Sequence, residues 1–158
     1  MELVGDPAYA LVEPPLRSQR DRDALSRGLA DGVIDCLCSD HTPVDEDGKH
    51  LPFAQAEPGA TGLELLLPLT LKWGEAHKLS LAATLGRITA EPARILGVAS
   101  GRIAAGAPGD LVLFDPAGSI HITAETLKSQ GKNTPFLGYE LPGRVRYTIV
   151  AGNVVYES

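Results

Sequence analysis

Apolar and polar residues fall along this chain in short blocks, and the block pattern changes part-way. Val33-Ile34-Asp35-Cys36-Leu37-Cys38 is an apolar run that stops at Ser39-Asp40-His41. Thr42, Pro43, Gly48, Pro52 and Pro58 follow in a loop composition. Short apolar runs bounded by breakers predict interior strands of a parallel sheet, so residues 33–39 are expected to be a buried strand. Upstream, Ser18 followed by Asp21 has the spacing of a capping box, Leu25 and Leu29 stand four apart, and Gly32 lies beyond them. Together these predict a helix through about Ala30. Residues 1–12 carry weak signals, with a turn expected at Gly5-Asp6-Pro7.

Further on, a helix is expected after Thr61-Gly62, running through Leu63-Glu64-Leu65-Leu66-Leu67 and holding Pro68 in its first two turns. Ser80 and Thr89 are N-cap candidates for two shorter helices, the second ending at Gly97. Past Gly97 the texture shifts to glycine-punctuated short runs. Asp110-Leu111-Val112-Leu113-Phe114-Asp115 reads as a strand, and Thr123 as the cap of one short helix. Residues 144–150 and 154–156 flank Ala151-Gly152-Asn153 as a hairpin. A boundary is expected near 98–106, dividing residues 1–100 from 101–158.

Composition narrows the class. A hydrophobic fraction of 44% with 5% aromatic residues suits a packed α/β protein. The net charge of −6 argues against nucleic acid or anionic membrane as partner. Arg17, Arg20 and Arg22 alternate with Asp21 and Asp23 as a solvated helix face. No run approaches the roughly 20 apolar residues that span a bilayer, and a soluble cytoplasmic protein is expected. Cys36 and Cys38 share one strand face, where neither a disulfide nor a metal clip fits, so both are expected to be reduced core residues.

One buried strand flanked by three or four helices is not a closed architecture, since a strand-helix barrel takes about 250 residues. The chain reads as the tail of something larger. Where such strands end, loops aim side chains into a shared pocket, which makes Asp40 the first candidate for chemistry.

Four pieces stand in order along the chain: Pro14-Pro15-Leu16-Arg17-Ser18 with Asp21-Arg22, Ser39-Asp40-His41 with Pro43, Pro58-Gly59-Ala60-Thr61-Gly62-Leu63-Glu64, and Asn133-Thr134-Pro135-Phe136. Together they resemble the C-terminal part of a dihydroorotase of the amidohydrolase superfamily. The tail from Gly101-Arg102-Ile103 through Asp115, and Thr148 to Tyr156, is similar to that of the superfamily at large. The resemblance implies a (β/α)8 barrel whose last helix-strand pair is residues 18–39, followed by the C-terminal half of a small β-sandwich. It implies hydrolysis of a cyclic amide in pyrimidine biosynthesis, dihydroorotate to and from carbamoyl aspartate, with zinc. Asp40 matches the family's metal-bound catalytic acid.

That residue type fits the reaction. Zinc brings the pKa of bound water to about 7, and a carboxylate beside it takes a proton and hands it to the leaving nitrogen. A catalytic zinc needs about three protein ligands. The family's others include a His-x-His pair, and none of His41, His50, His77 and His121 is two residues from another. The chain alone is therefore expected to bind no zinc stably and to be inactive. His41 is expected to make a structural hydrogen bond, and the other histidines to be solvated. Trp73 and the Leu63–Leu71 stripe are expected to pack in a core.

The substrate-binding positions implied by the resemblance are Glu13, Val44, Pro58 and Gly59. Two depart from the family pattern: Val44 stands where a His grips the substrate carboxylate, and Glu13 where an Asn binds substrate. A lost charge-assisted hydrogen bond costs about 1.5–3 kcal/mol. Both departures favour an alternative, a non-catalytic dihydroorotase-like scaffold for aspartate carbamoyltransferase. A further alternative is an allantoinase- or hydantoinase-like hydrolase, against which stand Leu16-Arg17-Ser18 and Asn133-Thr134-Pro135-Phe136.

Overall fold

A computed structural model describes residues 7–158, so the expected turn at Gly5-Asp6-Pro7 lies largely outside the described residues. Helix α1 spans Gln19–Ala30, α2 Glu46–Lys49, α3 Leu66–Ala76, α4 Leu81–Gly86 and α5 Ala90–Leu96. Strands β1 (Leu111–His121), β2 (Glu140–Val150) and β3 (Asn153–Glu157) form one sheet in the order β1-β2-β3. The chain divides into two compact units, which interleave along the sequence. Of the described residues, the first comprises 7–24, 39–66 and 121–140, and the second 25–38, 67–120 and 141–158. The boundary expected at 98–106 falls inside the second unit.

Local signals produced the helix ends. Ser18 Oγ accepts from Asp21 N–H at 3.3 Å, opening α1. Beyond its C-terminus, Gly32 takes φ 78°, and Val33 N–H returns to the Gly28 carbonyl at 2.8 Å. Ser80 Oγ accepts from Ala83 N–H at 3.2 Å and caps α4 as expected. Thr89 does not cap α5 with its side chain, because its hydroxyl donates back to the Leu85 carbonyl at 2.7 Å. The helix expected from Leu63 begins as a 3-10 turn over Leu63–Leu65 and becomes α-helical at Leu66. Pro68 then sits in the first turn of α3, where its missing N–H leaves no gap in the ladder.

Residues 33–39 are not in any strand of the structure. An apolar run needs neighbouring strands to pair with, and here Leu37 N–H bonds instead to the Arg87 carbonyl at 3.0 Å. Cys36 is half-buried and Cys38 exposed, both free, so only the first approaches the expected core position. Leu29, Leu71, Ala93 and Leu141 are buried in the second unit. Trp73 Nε1 donates to Ser26 Oγ at 3.1 Å, and His77 Nε2 lies 2.7 Å from the same oxygen. His77 is thus held between helices rather than solvated as expected.

The expected hairpin is present: β2 and β3 pair antiparallel, with an irregularity between Thr148 and Ile149. Ala151 and Gly152 both take left-handed φ, 48° and 81°, as a two-residue turn matched to strand twist requires. Strand β1 continues to His121, six residues beyond the expected end. Pro116 interrupts no ladder there, because β1 lies at the sheet edge.

The core of the first unit holds Ala8, Val44, Ala56, Leu65, Ile122 and Leu127, with Lys49, Thr61, Asn133 and Thr134 as buried polar side chains. Leu63, expected in a core, is 61% exposed. Residues 123–127 make a single turn rather than the expected helix. Thr126 Oγ1 accepts from Thr123 N–H at 2.9 Å and Thr126 N–H donates to Thr123 Oγ1 at 3.3 Å, a reciprocal cap with no helix behind it.

Candidate functional site

Three extended segments of the first unit lie side by side. Gly59 N–H donates to the Leu11 carbonyl at 2.9 Å, and Thr42 N–H donates to the Ala60 carbonyl at 3.0 Å. Residues 58–60 are therefore the middle segment, with 11–13 on one flank and 40–42 on the other. Between them opens a cleft of about 260 Å³ lined by Val12, Glu13, Asp40, Thr42, Pro58, Gly59 and Ala60. The Glu13-Pro14 peptide at its rim is cis.

Asp40 is exposed and takes a left-handed φ of 45°, a conformation that Asp and Asn tolerate better than other side-chain-bearing residues. Two acidic residues, Asp40 and Glu13, line one cleft. Of the five residues singled out from the sequence, Asp40, Glu13, Pro58 and Gly59 line it together. Val44 does not. It is 8% exposed, and a β-carbon built on Gly59 would meet its Cγ2 at 2.8 Å, so Val44 packs behind the middle segment.

His41, next to the acid, is turned away into a structural contact, as expected. Its Nδ1 accepts from the N–H groups of Gly62 and Leu63, each at 3.1 Å. Among the described residues no three His, Cys, Asp or Glu side chains gather as a metal site. A catalytic zinc takes about three protein ligands, so the residues described do not by themselves fit one.

Sequence reasoning missed the supports of the cleft. Lys49 is fully buried, and its ammonium donates to the carbonyls of Ala8 and Leu11, both at 3.1 Å. Burial pushes its pKa below the ordinary lysine value, with the nearby Glu57 carboxylate opposing that shift. Asn133 is 4% exposed and bonded to both Val44 and Gly59. Nothing local marks Lys49, which stands among Asp45, Glu46 and Asp47 like a solvated residue. Asn133 belongs to a run already noted for its resemblance, without a role.

Comparison with known proteins places these features in a family. Residues 7–155 match the amidohydrolase family model. A dihydroorotase-like protein of Pseudomonas aeruginosa is 45% identical over 98% of this chain and 36% of its own length. A dihydroorotase of Geobacter sp. strain M21 is 44% identical over the same shares. Among solved structures, the dihydropyrimidinase of Brevibacillus agri superposes with a TM-score of 0.86 at 26% identity, covering 95% of this chain and 34% of that one. The L-hydantoinase of Arthrobacter aurescens gives a TM-score of 0.82 at 31% identity, covering 96% and 36%. The chain thus spans about a third of the length of the relatives it matches.

Proposed function

This chain belongs to the amidohydrolase family, and we propose on that footing that it forms part of a cyclic amide hydrolase of the dihydroorotase type, opening and closing the dihydroorotate ring. Its mixed helix and sheet content is the family's, seen also in the hydantoinase structures. In this proposal residues 1–100 continue a (β/α)8 barrel, residues 101–158 supply half of a small β-sandwich, and the whole acts in pyrimidine biosynthesis in the cytoplasm. The observation that carries it is the placement of Asp40 in one cleft with Glu13 and the Pro58-Gly59 backbone.

Asp40 is the proton carrier of the proposed reaction. Its carboxylate takes a proton from the attacking water and returns it to the ring nitrogen as the amide bond breaks. The Pro58-Gly59 segment meets the substrate through its main chain, and Glu13 borders it. The zinc of such an enzyme, which would polarise the amide carbonyl, is assigned to the longer polypeptide, with Asp40 as this chain's contribution.

Two observations support a second function, a catalytically silent scaffold for aspartate carbamoyltransferase. Val44 is packed in the core and offers no group to a substrate carboxylate, while Glu13 adds like charge. At 4 Å, two carboxylates repel by about 4 kcal/mol with an effective dielectric near 20. The hydantoinase-like structures make hydantoin ring opening a third activity to assay.

Metal content and carbamoyl aspartate cyclisation, measured on full-length protein containing this chain, test the proposal. Stoichiometric zinc with turnover abolished by Asp40→Asn supports the hydrolase. No metal, no turnover and co-purification with a carbamoyltransferase support the scaffold.

A further inference from the structure

We propose that Asn133 is the positioning residue of this cleft: its buried carboxamide sets the spacing between the segment carrying Asp40 and the segment carrying Pro58-Gly59. The proposal deepens the function above, on which only its kinetic consequence rests. Asn133 does not line the cleft; it lies behind the lining residues. Its Oδ1 accepts from Val44 N–H at 3.2 Å and its Nδ2 donates to the Gly59 carbonyl at 3.0 Å. Its own carbonyl accepts from Thr61 N–H at 2.7 Å. One residue is therefore bonded to both arms, reaching 89 residues back along the chain to one and 74 to the other.

The chemistry requires this side chain. An amide presents an acceptor and a donor in one plane, whereas a carboxylate presents only acceptors and an apolar isostere neither. A buried polar group without partners is costly, so burial of Asn133 is stabilised only while both arms stay in place. Its loop is itself anchored. Thr61 Oγ1 donates to the Gly131 carbonyl at 2.6 Å. The Glu64 carboxylate accepts from Lys128 N–H at 2.7 Å and Ser129 N–H at 2.6 Å. A β-carbon on Gly131 would lie 2.7 Å from Cβ of Pro43, which seats the loop against the Asp40 arm.

The reporter is the Thr42 N–H, whose bond to the Ala60 carbonyl crosses between the arms without involving Asn133. Amide exchange at Thr42 and His50 is followed in full-length protein containing this chain, in wild type, Asn133→Ala and Asn133→Asp. Asn133→Ala is expected to lower Thr42 protection about tenfold, while the N–H of His50, the residue that caps α2 and bonds back to the Glu46 carbonyl, keeps its protection. Asn133→Asp adds a pH signature that simple loss of packing does not produce. Protonated, its carboxyl donates to the Gly59 carbonyl and Thr42 protection stays near wild type; ionised, it repels that oxygen and protection falls. If Asn133→Ala does not fold, the pH series decides. Unchanged Thr42 protection in the variants, or an equal fall at His50, overturns the proposal. In full-length protein, Asn133→Asp should lose kcat for dihydroorotate as pH rises through that step. If wild type opens no dihydroorotate ring, the hydrolase function fails while the exchange result still decides the role of Asn133.

Discussion

A β-carbon on Gly59 would stand 2.5 Å from the carbonyl oxygen of Thr42, closer than any side chain can approach it. The φ of 138° at Gly59 is likewise one that only glycine adopts freely. The middle and outer arms of the cleft are thus pressed together at a residue whose side chain is a hydrogen atom.

Gly59→Ala is therefore expected to destabilise the fold through both overpacking and backbone strain, each about 1–3 kcal/mol. For a chain of this size 1 kcal/mol moves the melting temperature by about 2–4 °C. A fall of roughly 5–20 °C should appear in differential scanning fluorimetry. A melting point within about 2 °C of wild type would show that the arms can separate freely.

Lys49 makes stability depend on alkaline pH. Its folded pKa lies below the 10.5 of the free side chain because burial disfavours the charge. Between the folded and unfolded values the unfolded chain binds more protons, so this group's contribution rises with pH across that window. Below the folded value the burial cost is constant and full. Denaturant titrations at several pH values, with Lys49→Met as control, should show that slope in wild type and not in the variant. Glu57→Gln should lower stability at neutral pH, since its carboxylate favours the ammonium.

Asp40 should be separable from folding. Asn shares its tolerance of the left-handed region, so Asp40→Asn is expected to unfold within about 0.5 kcal/mol of wild type. A β-branched Asp40→Val should cost about 1–2 kcal/mol there. Equal urea midpoints for the two variants would contradict the φ of 45° at this residue.

At the hairpin, Tyr147 donates its hydroxyl to Glu157 Oε1 at 3.0 Å. That bond and the carboxylate's charge hold the phenol above its ordinary pKa. Glu157→Gln should bring the Tyr147 titration down in ultraviolet difference spectra. An unmoved midpoint would count against the contact.

What could be read from the sequence was decided by distance along the chain. Ser18, Gly32, Ser80 and the Ala151-Gly152 turn act on residues within a few positions, and each was legible. Residues 33–39 have the composition of a strand but no ladder partner in the structure, and a pairing partner is not a property of seven residues. Within the cleft, the resemblance brought forward Asp40, Glu13 and Pro58-Gly59, which the structure gathers in one place. Lys49 and Asn133 were not legible as supports, because these partners lie 38 to 89 residues away and are all main-chain atoms. Nor was Val44 legible as a core residue, since Gly48 and the distant Gly59 close on its side chain only in the folded loop.

The Leu11 carbonyl oxygen receives the amide proton of Gly59 and the ammonium of Lys49 together. Prying residues 12–13 away from 58–59 would stretch two donors anchored to one atom. That flank of the mouth is consequently braced at a single carbonyl, and Lys49 ties it to the buried interior of the unit.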